Sequence, residues 1–227
     1  ATVESVVLVA TKSGMLASVY TAVRRKGELV REAHVDPASW LDGKFSRILL
    51  GRSSQSIKLL EKLKDASLEF EEVADIIWGI KPYQVGHGTP TQTKEMVKGR
   101  IYHSTVAADD SWKPLLVGGN VDRFSVEWPG KTFIKYGPNL MYPSNAAKLA
   151  GPKILLRQTG DTLRTAVDLS GFYPQNSLFV ITLKRAEVDI WAFTAILNSR
   201  LIKYAYQELN PQEGKTFSEI KPSVVRS

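Results

Sequence analysis

GPKILLRQTGD, residues 151–161, has the form of a buried strand with polar ends. The turn pairs Gly151-Pro152 and Gly160-Asp161 bracket an uninterrupted apolar run, Ile154-Leu155-Leu156, which is how a covered strand reads. Its ends carry Lys153 on one side and Arg157, Gln158 and Thr159 on the other. Arg and Gln are shaped for bidentate contacts to guanine and adenine edges. Charged residues also flank strands that do nothing else, so the remainder of the chain has to decide what these ends are for.

Outward from this strand lie others of the same kind. Leu178–Leu183 (LFVITL) is a second buried run, Thr132–Tyr136 (TFIKY) ends at Gly137-Pro138, and Lys113–Val117 runs into Gly118-Gly119. Ile190, Phe193, Thr194, Leu197, Leu201 and Tyr204 fall on one helical face, so residues 188–207 are expected to form one long helix. Within it, Asn198-Ser199 is expected to turn back onto the sheet. Tyr136, Tyr204 and Tyr206 are expected to pack rather than to stack on bases. Short strands with a late helix point to an α+β fold with mostly antiparallel pairing, preceded by a small strand-rich segment.

In that segment, Val6–Val9 is a strand expectation, Met15–Val23 leads into the turn Arg24-Arg25-Lys26-Gly27, and Glu28–Val35 returns. Beyond a Ser53 or Ser54 cap, Ile57, Leu60 and Leu63 recur at helical spacing. Gly79–Gly99 reads as a long polar loop, with Gln84, His87, Gln92 and Thr93 among four glycines and two prolines. A boundary near residue 77 divides the chain into 1–77 and 78–227.

The charge follows that boundary. Residues 1–77 hold 11 basic and 11 acidic side chains, whereas 78–227 hold 19 and 12, so the whole net charge of +7 lies in the second part. Within 123–164 there are seven basic residues against Glu127 and Asp161. A basic excess confined to one region suits a polyanionic partner. With 43% hydrophobic residues the chain can bury a core, and with no cysteine it forms no disulfide and no cysteine-based zinc site. No apolar run approaches the roughly 20 residues of a membrane span, and no basic-then-apolar leader opens the chain. A cytoplasmic location is the expectation. Opening on Ala1 and closing on Ser227, the chain is expected to be a piece of something larger.

Catalytic motifs are scarce. There is no Asp-, Asn- or Ser-Pro-Pro-aromatic tetrapeptide, because Asn210-Pro211 is followed by Gln212. Gly214-Lys215-Thr216 ends like a phosphate loop, but Leu209 stands where that loop needs its first glycine. Asp42-Gly43-Lys44 lacks a partner acid for a nuclease site, and His34, His87 and His103 lack metal-ligand spacing. The chain is expected not to be catalytic alone, and no metal is expected.

Five segments in order carry a resemblance: WGIKPYQVGHGTPTQTKEMVKGRIYHS (78–104), PLLVGGNVDRF (114–124), FIKYGPNLMYP (133–143), GPKILLRQTGD (151–161) and ILNSRLIKYAYQ (196–207). Residues 76–222 resemble the TaqI-like C-terminal specificity domain of adenine-specific DNA methyltransferases and fused type II restriction–modification enzymes. Residues 1–50 look like the last strands of the methyltransferase domain, with 51–77 as the connection. One departure is Ser144 after Pro143, where many relatives place an arginine. The resemblance implies a prokaryotic target-recognition module that reads double-stranded DNA beside a catalytic domain. That domain uses S-adenosylmethionine to methylate a flipped-out adenine; this chain itself holds no cofactor. The parent is then a site-specific adenine methyltransferase, with or without a fused endonuclease.

Physics and resemblance together give two groups of site residues. Arg123, Lys135, Lys148, Lys153 and Arg164 are expected to hold phosphates, a sequence-blind and salt-dependent task. Arg157, Gln158 and Thr159, with Gln84, His87 and Gln92 of the polar loop, are expected at base edges, where a bidentate contact discriminates by about 1–3 kcal/mol. Two other readings stay open: a degenerate specificity domain that serves as a protein-interaction scaffold, which an apolar surface around Lys153 and Arg157 would favour, and a metal-dependent nuclease.

Overall fold

A computed structural model describes residues 19–25, 28–35, 53–210 and 218–226. The chain divides into two compact units, Ala1–Ser67 and Leu68–Ser227. In the first, β1 (Val19–Arg25) and β2 (Glu28–Val35) pair antiparallel, with Arg24 and Arg25 in β1 rather than in a turn. Helix α1 (Ser54–Asp65) starts on Ser53, whose hydroxyl accepts from the Ser56 amide at 3.2 Å. Ile57 and Leu60 are its buried positions. The expectations for Val6–Val9 and Asp42-Gly43-Lys44 lie outside the described residues.

The second unit is an α+β domain. Its first sheet has the order β10-β9-β12-β3, from β3 (Ala74–Trp78), β9 (Lys153–Arg157), β10 (Thr165–Asp168) and β12 (Leu178–Leu183), with every pair antiparallel. A second sheet has the order β11-β5-β8-β4, from β4 (His103–Ser104), β5 (Trp112–Leu116), β8 (Phe133–Lys135) and β11 (Tyr173–Pro174). Only its β11–β5 pair is parallel. A small hairpin of β6 (Val121–Asp122) and β7 (Ser125–Val126) forms a separate two-stranded sheet that packs against β9 and β10.

The two-residue period of a strand sorts the core. Leu155, Leu178 and Val180 join Leu115, Leu116, Ile134 and Tyr173 in one apolar cluster between the sheets. Ile154, Leu156, Phe179 and Ile181 join Leu197, Tyr206, Ile220 and Val224 on the opposite face. β9 and β12 are therefore covered on both faces, which is why their sequences run apolar without alternating. Each such Leu or Ile contributes about 1.5–3 kcal/mol by burial.

One expectation changes. The late helix is two helices, α5 (Ile190–Leu197) and α6 (Arg200–Leu209), the fifth and sixth of the described helices. Asn198 ends the first by turning its amide onto Thr165, accepting from the backbone N–H at 3.0 Å and donating to the C=O at 2.8 Å. Ser199 then caps the second through the Ile202 amide. The second compact unit begins at Leu68, and its β3 is bonded along its whole length to β12. No helix among the described residues is long and apolar enough to cross a membrane.

Candidate nucleic-acid interface

Strand direction decides which polar ends meet. β9 and β3 both run antiparallel to β12, so their C-terminal ends lie at the same edge as the start of β12. The start of β10 pairs with the end of β9 and joins them there. The end of β5 arrives at this edge too, since the Gly118 amide donates to Ser177 Oγ at 2.9 Å, one residue before β12.

Arg157, Gln158 and Thr159 leave β9 into this edge. The Gln158 amide donates to the Ser177 carbonyl and its own carbonyl accepts from Ile220, at 3.0 and 2.7 Å. The backbone is thereby fixed, while the side-chain amide of half-exposed Gln158 has no hydrogen-bond partner among the described residues. Arg157 Nε donates to Thr159 Oγ1 at 3.0 Å, which aims the guanidinium along the strand exit. The Arg157 amide also donates to the Arg164 carbonyl at 3.1 Å, bringing Arg164 alongside. Arg164 stands 3.9 Å from Asp122, and Arg123 reaches across to donate to the Asn198 carbonyl at 2.7 Å. Five of the expected residues are thus gathered at one edge: Arg123, Arg157, Gln158, Thr159 and Arg164.

The polar loop rises from the same edge, directly after β3. Lys81 Nζ donates to Gln84 Oε1 at 3.2 Å, and Gln84 Nε2 lies 3.5 Å from His87 Nε2. His87 Nδ1 faces the Val85 carbonyl at 3.3 Å; donation there leaves Nε2 as the acceptor towards Gln84. The sequence reading overlooked Lys81, whose signal was the turn pair Lys81-Pro82 at a strand exit. The loop expected through Gly99 ends in a short helix, Lys94–Gly99, capped by Thr93.

Two of the expected contacts are corrected. Lys153 is fully buried and ion-paired to Asp168 at 2.6 Å, and it also donates to the Leu149 carbonyl at 2.6 Å. It shares the face of Leu155, which points between the sheets, so it cannot reach a phosphate. Burial lowers its pKa, against the opposing pull of Asp168. Gln92 is 1% exposed. It donates to the carbonyls of Pro82 and Asn139, both at 2.8 Å, and accepts from the Gln84 amide at 2.9 Å. It holds the loop closed instead of reading bases.

Two more lie elsewhere. Lys148 sits at the opposite end of the first sheet, paired to Asp75 at the second residue of β3. Lys148 and then Lys184 hold the Asp75 carboxyl below its usual range. Lys135 is exposed, but it pairs with Trp112 at the far end of β5. His103 is neutral: burial first, then Arg100, lowers its pKa to about 4. Among the described residues no group of three His, Cys, Asp or Glu could hold a metal ion.

Residues 113–227 match the TaqI-like C-terminal specificity domain. The chain belongs to that family. No curated protein matches the chain. Family membership makes the TaqI-like domain a DNA-recognition module of the restriction–modification type. The match begins inside β5, whereas the compact unit begins at Leu68. The segment 78–104 falls outside the match, yet its Ile80 and Tyr102 share an apolar cluster with the matched Leu115, Leu116 and Ile134.

Proposed function

We propose that this chain is the target-reading module of a type II restriction–modification adenine-N6 DNA methyltransferase. It positions duplex DNA for a catalytic domain supplied from outside the described residues. The observation that carries this reading is the convergence of Arg157, Gln158 and Thr159 with Arg164 and Arg123 at one sheet edge. Arg164 and Arg123 suit phosphates, which fix register without reading sequence. Arg157 and Gln158 suit base edges in the major groove, and Gln84 and His87, on the loop that follows β3, suit the same task. The groups bonded nearest Arg157 are the polar Thr159 and the basic Arg164, which favours DNA over a protein scaffold.

S-adenosylmethionine belongs with the catalytic domain, where it supplies the methyl group. Asp168, the one buried carboxylate among the described residues, is consumed by Lys153 and by the Ser170 and Phe172 amides. In this reading the catalytic domain holds the cofactor and this chain contributes no catalytic group.

The test is a binding titration of the chain on duplex DNA over a range of salt. Affinity should fall steeply as salt rises, and Arg164→Ala should flatten the log–log slope by about one. In the parent enzyme, Arg157→Ala or Gln158→Ala should relax target choice and leave cofactor affinity unchanged. A chain that fails to bind at low salt, or a parent whose target choice survives both changes, refutes the assignment.

A further inference from the structure

The hairpin of β6 and β7 pairs Val121 with Val126 and Asp122 with Ser125, leaving Arg123 and Phe124 as a two-residue tip. Phe124 has φ 63°, while Arg123 is not left-handed. That second tip position is one where glycine or asparagine costs least, and a bulky residue there is strained. The strain is held in place by the Phe124 amide, which donates to the Thr165 carbonyl at 2.8 Å, and by Arg123, whose amide donates to Asp122 Oδ1 at 2.8 Å.

The fold gains little from the ring. It is 53% exposed and belongs to neither apolar cluster. Its one aromatic or cationic neighbour among the described residues is the Arg123 guanidinium, 5.8 Å from the ring centroid. Near it in the chain and across the hairpin stand Arg123, Arg164 and, through the Arg164 carbonyl, Arg157, with Asp122 beside Arg164 and Glu219 opposite Thr159 as the acids of this edge. A strained, exposed aromatic inside a basic cluster is arranged for an occupant that is anionic outside and apolar within, which is duplex DNA.

We infer that Phe124 is an apolar DNA contact whose ring packs against bases while Arg164 and Arg123 hold the adjoining phosphates. The inference rests on the DNA-reading assignment of this edge and adds to it a residue that is neither charged nor a hydrogen-bonding reader. Apolar side chains wedged at base steps bend or unstack the duplex, and aromatic–base stacking adds affinity that carries no counterion release.

The experiment uses the full chain with duplexes enriched by it from a randomised pool, titrated over several salt concentrations. Phe124→Gly should weaken binding at least about fivefold at every salt, with the log–log salt slope unchanged. Its melting temperature should equal or exceed that of the unaltered chain, because glycine relieves the left-handed strain. Phe124→Asn should behave in the same way, and Phe124→Tyr should retain binding. Arg164→Ala should instead flatten the slope. A Phe124→Gly chain that binds like the unaltered one, or that melts below it, overturns the inference and leaves the basic edge in its role. An unaltered chain that binds no duplex at low salt overturns both.

Discussion

Lys153 and Asp168 hold together a corner of the domain that no apolar contact could. The ammonium group serves Asp168 and the Leu149 carbonyl, and the carboxylate serves Lys153 and the amides of Ser170 and Phe172. The start of β9, the end of β10 and the turn after it are thereby joined. Removing one charge from a buried pair strands the other, at about 3–5 kcal/mol. The two partners are not equivalent, because Asp168 without Lys153 keeps two backbone donors while Lys153 without Asp168 keeps only carbonyls. Asp168→Asn should therefore destabilise more than Lys153→Met, by denaturant midpoint at equal m-value. Arg164→Ala, at the surface, should stay within about 0.5 kcal/mol. Equal losses for the two buried changes would show that the backbone amides contribute nothing to holding Asp168.

At the scale of elements, what could be read depended on whether the deciding contacts were local. β12 was legible to the residue, since LFVITL is apolar throughout and needs cover on both faces. The break in the late helix was not, because Leu197 and Leu201 keep helical spacing across it and a polar pair turned onto the sheet, as Asn198 is, need not stop a helix. What stops the helix is the free edge of β10, a distant partner that no periodicity reports. The same holds for the site. That Arg157, Gln158 and Thr159 stand at a strand exit was legible because the apolar run before them ends there. Lys153 was misread because one step of the strand's alternation turns it between the sheets. Gln92 was misread because the loop's own carbonyls needed a donor. Asn198→Ala should remove both bonds to fully buried Thr165 and leave its amide unpaired, costing about 1–3 kcal/mol. Hydrogen exchange at the Thr165 amide should accelerate well beyond that at Val180, in the centre of β12. Uniform acceleration along the sheet would instead mean that Asn198 supports the whole fold and not its edge.

Over the whole molecule, the domain that folds is larger than the segment that carries the family's sequence. The match starts at Lys113, but β3 supplies the edge of the first sheet. Ala74 and Ile76 are 1% and 5% exposed, Trp78 packs on Phe179 with ring centroids 4.4 Å apart, and Arg226 donates to the Ile76 carbonyl at 3.1 Å. A chain trimmed to 78–227 loses four of the five β3 residues and uncovers β12 as an apolar edge, open to pairing with another copy. The loss of Ile76 alone is worth about 2–5 kcal/mol, against a total stability of about 5–15 kcal/mol for a domain. Residues 68–227 should therefore melt in one cooperative transition and elute as a compact species. Residues 78–227 should aggregate or melt without a transition, and adding back 68–77 should restore both properties. Should 78–227 melt as 68–227 does, β3 would be an accessory strand, and the edge proposed to read DNA would owe its geometry to β9, β12 and β5 alone.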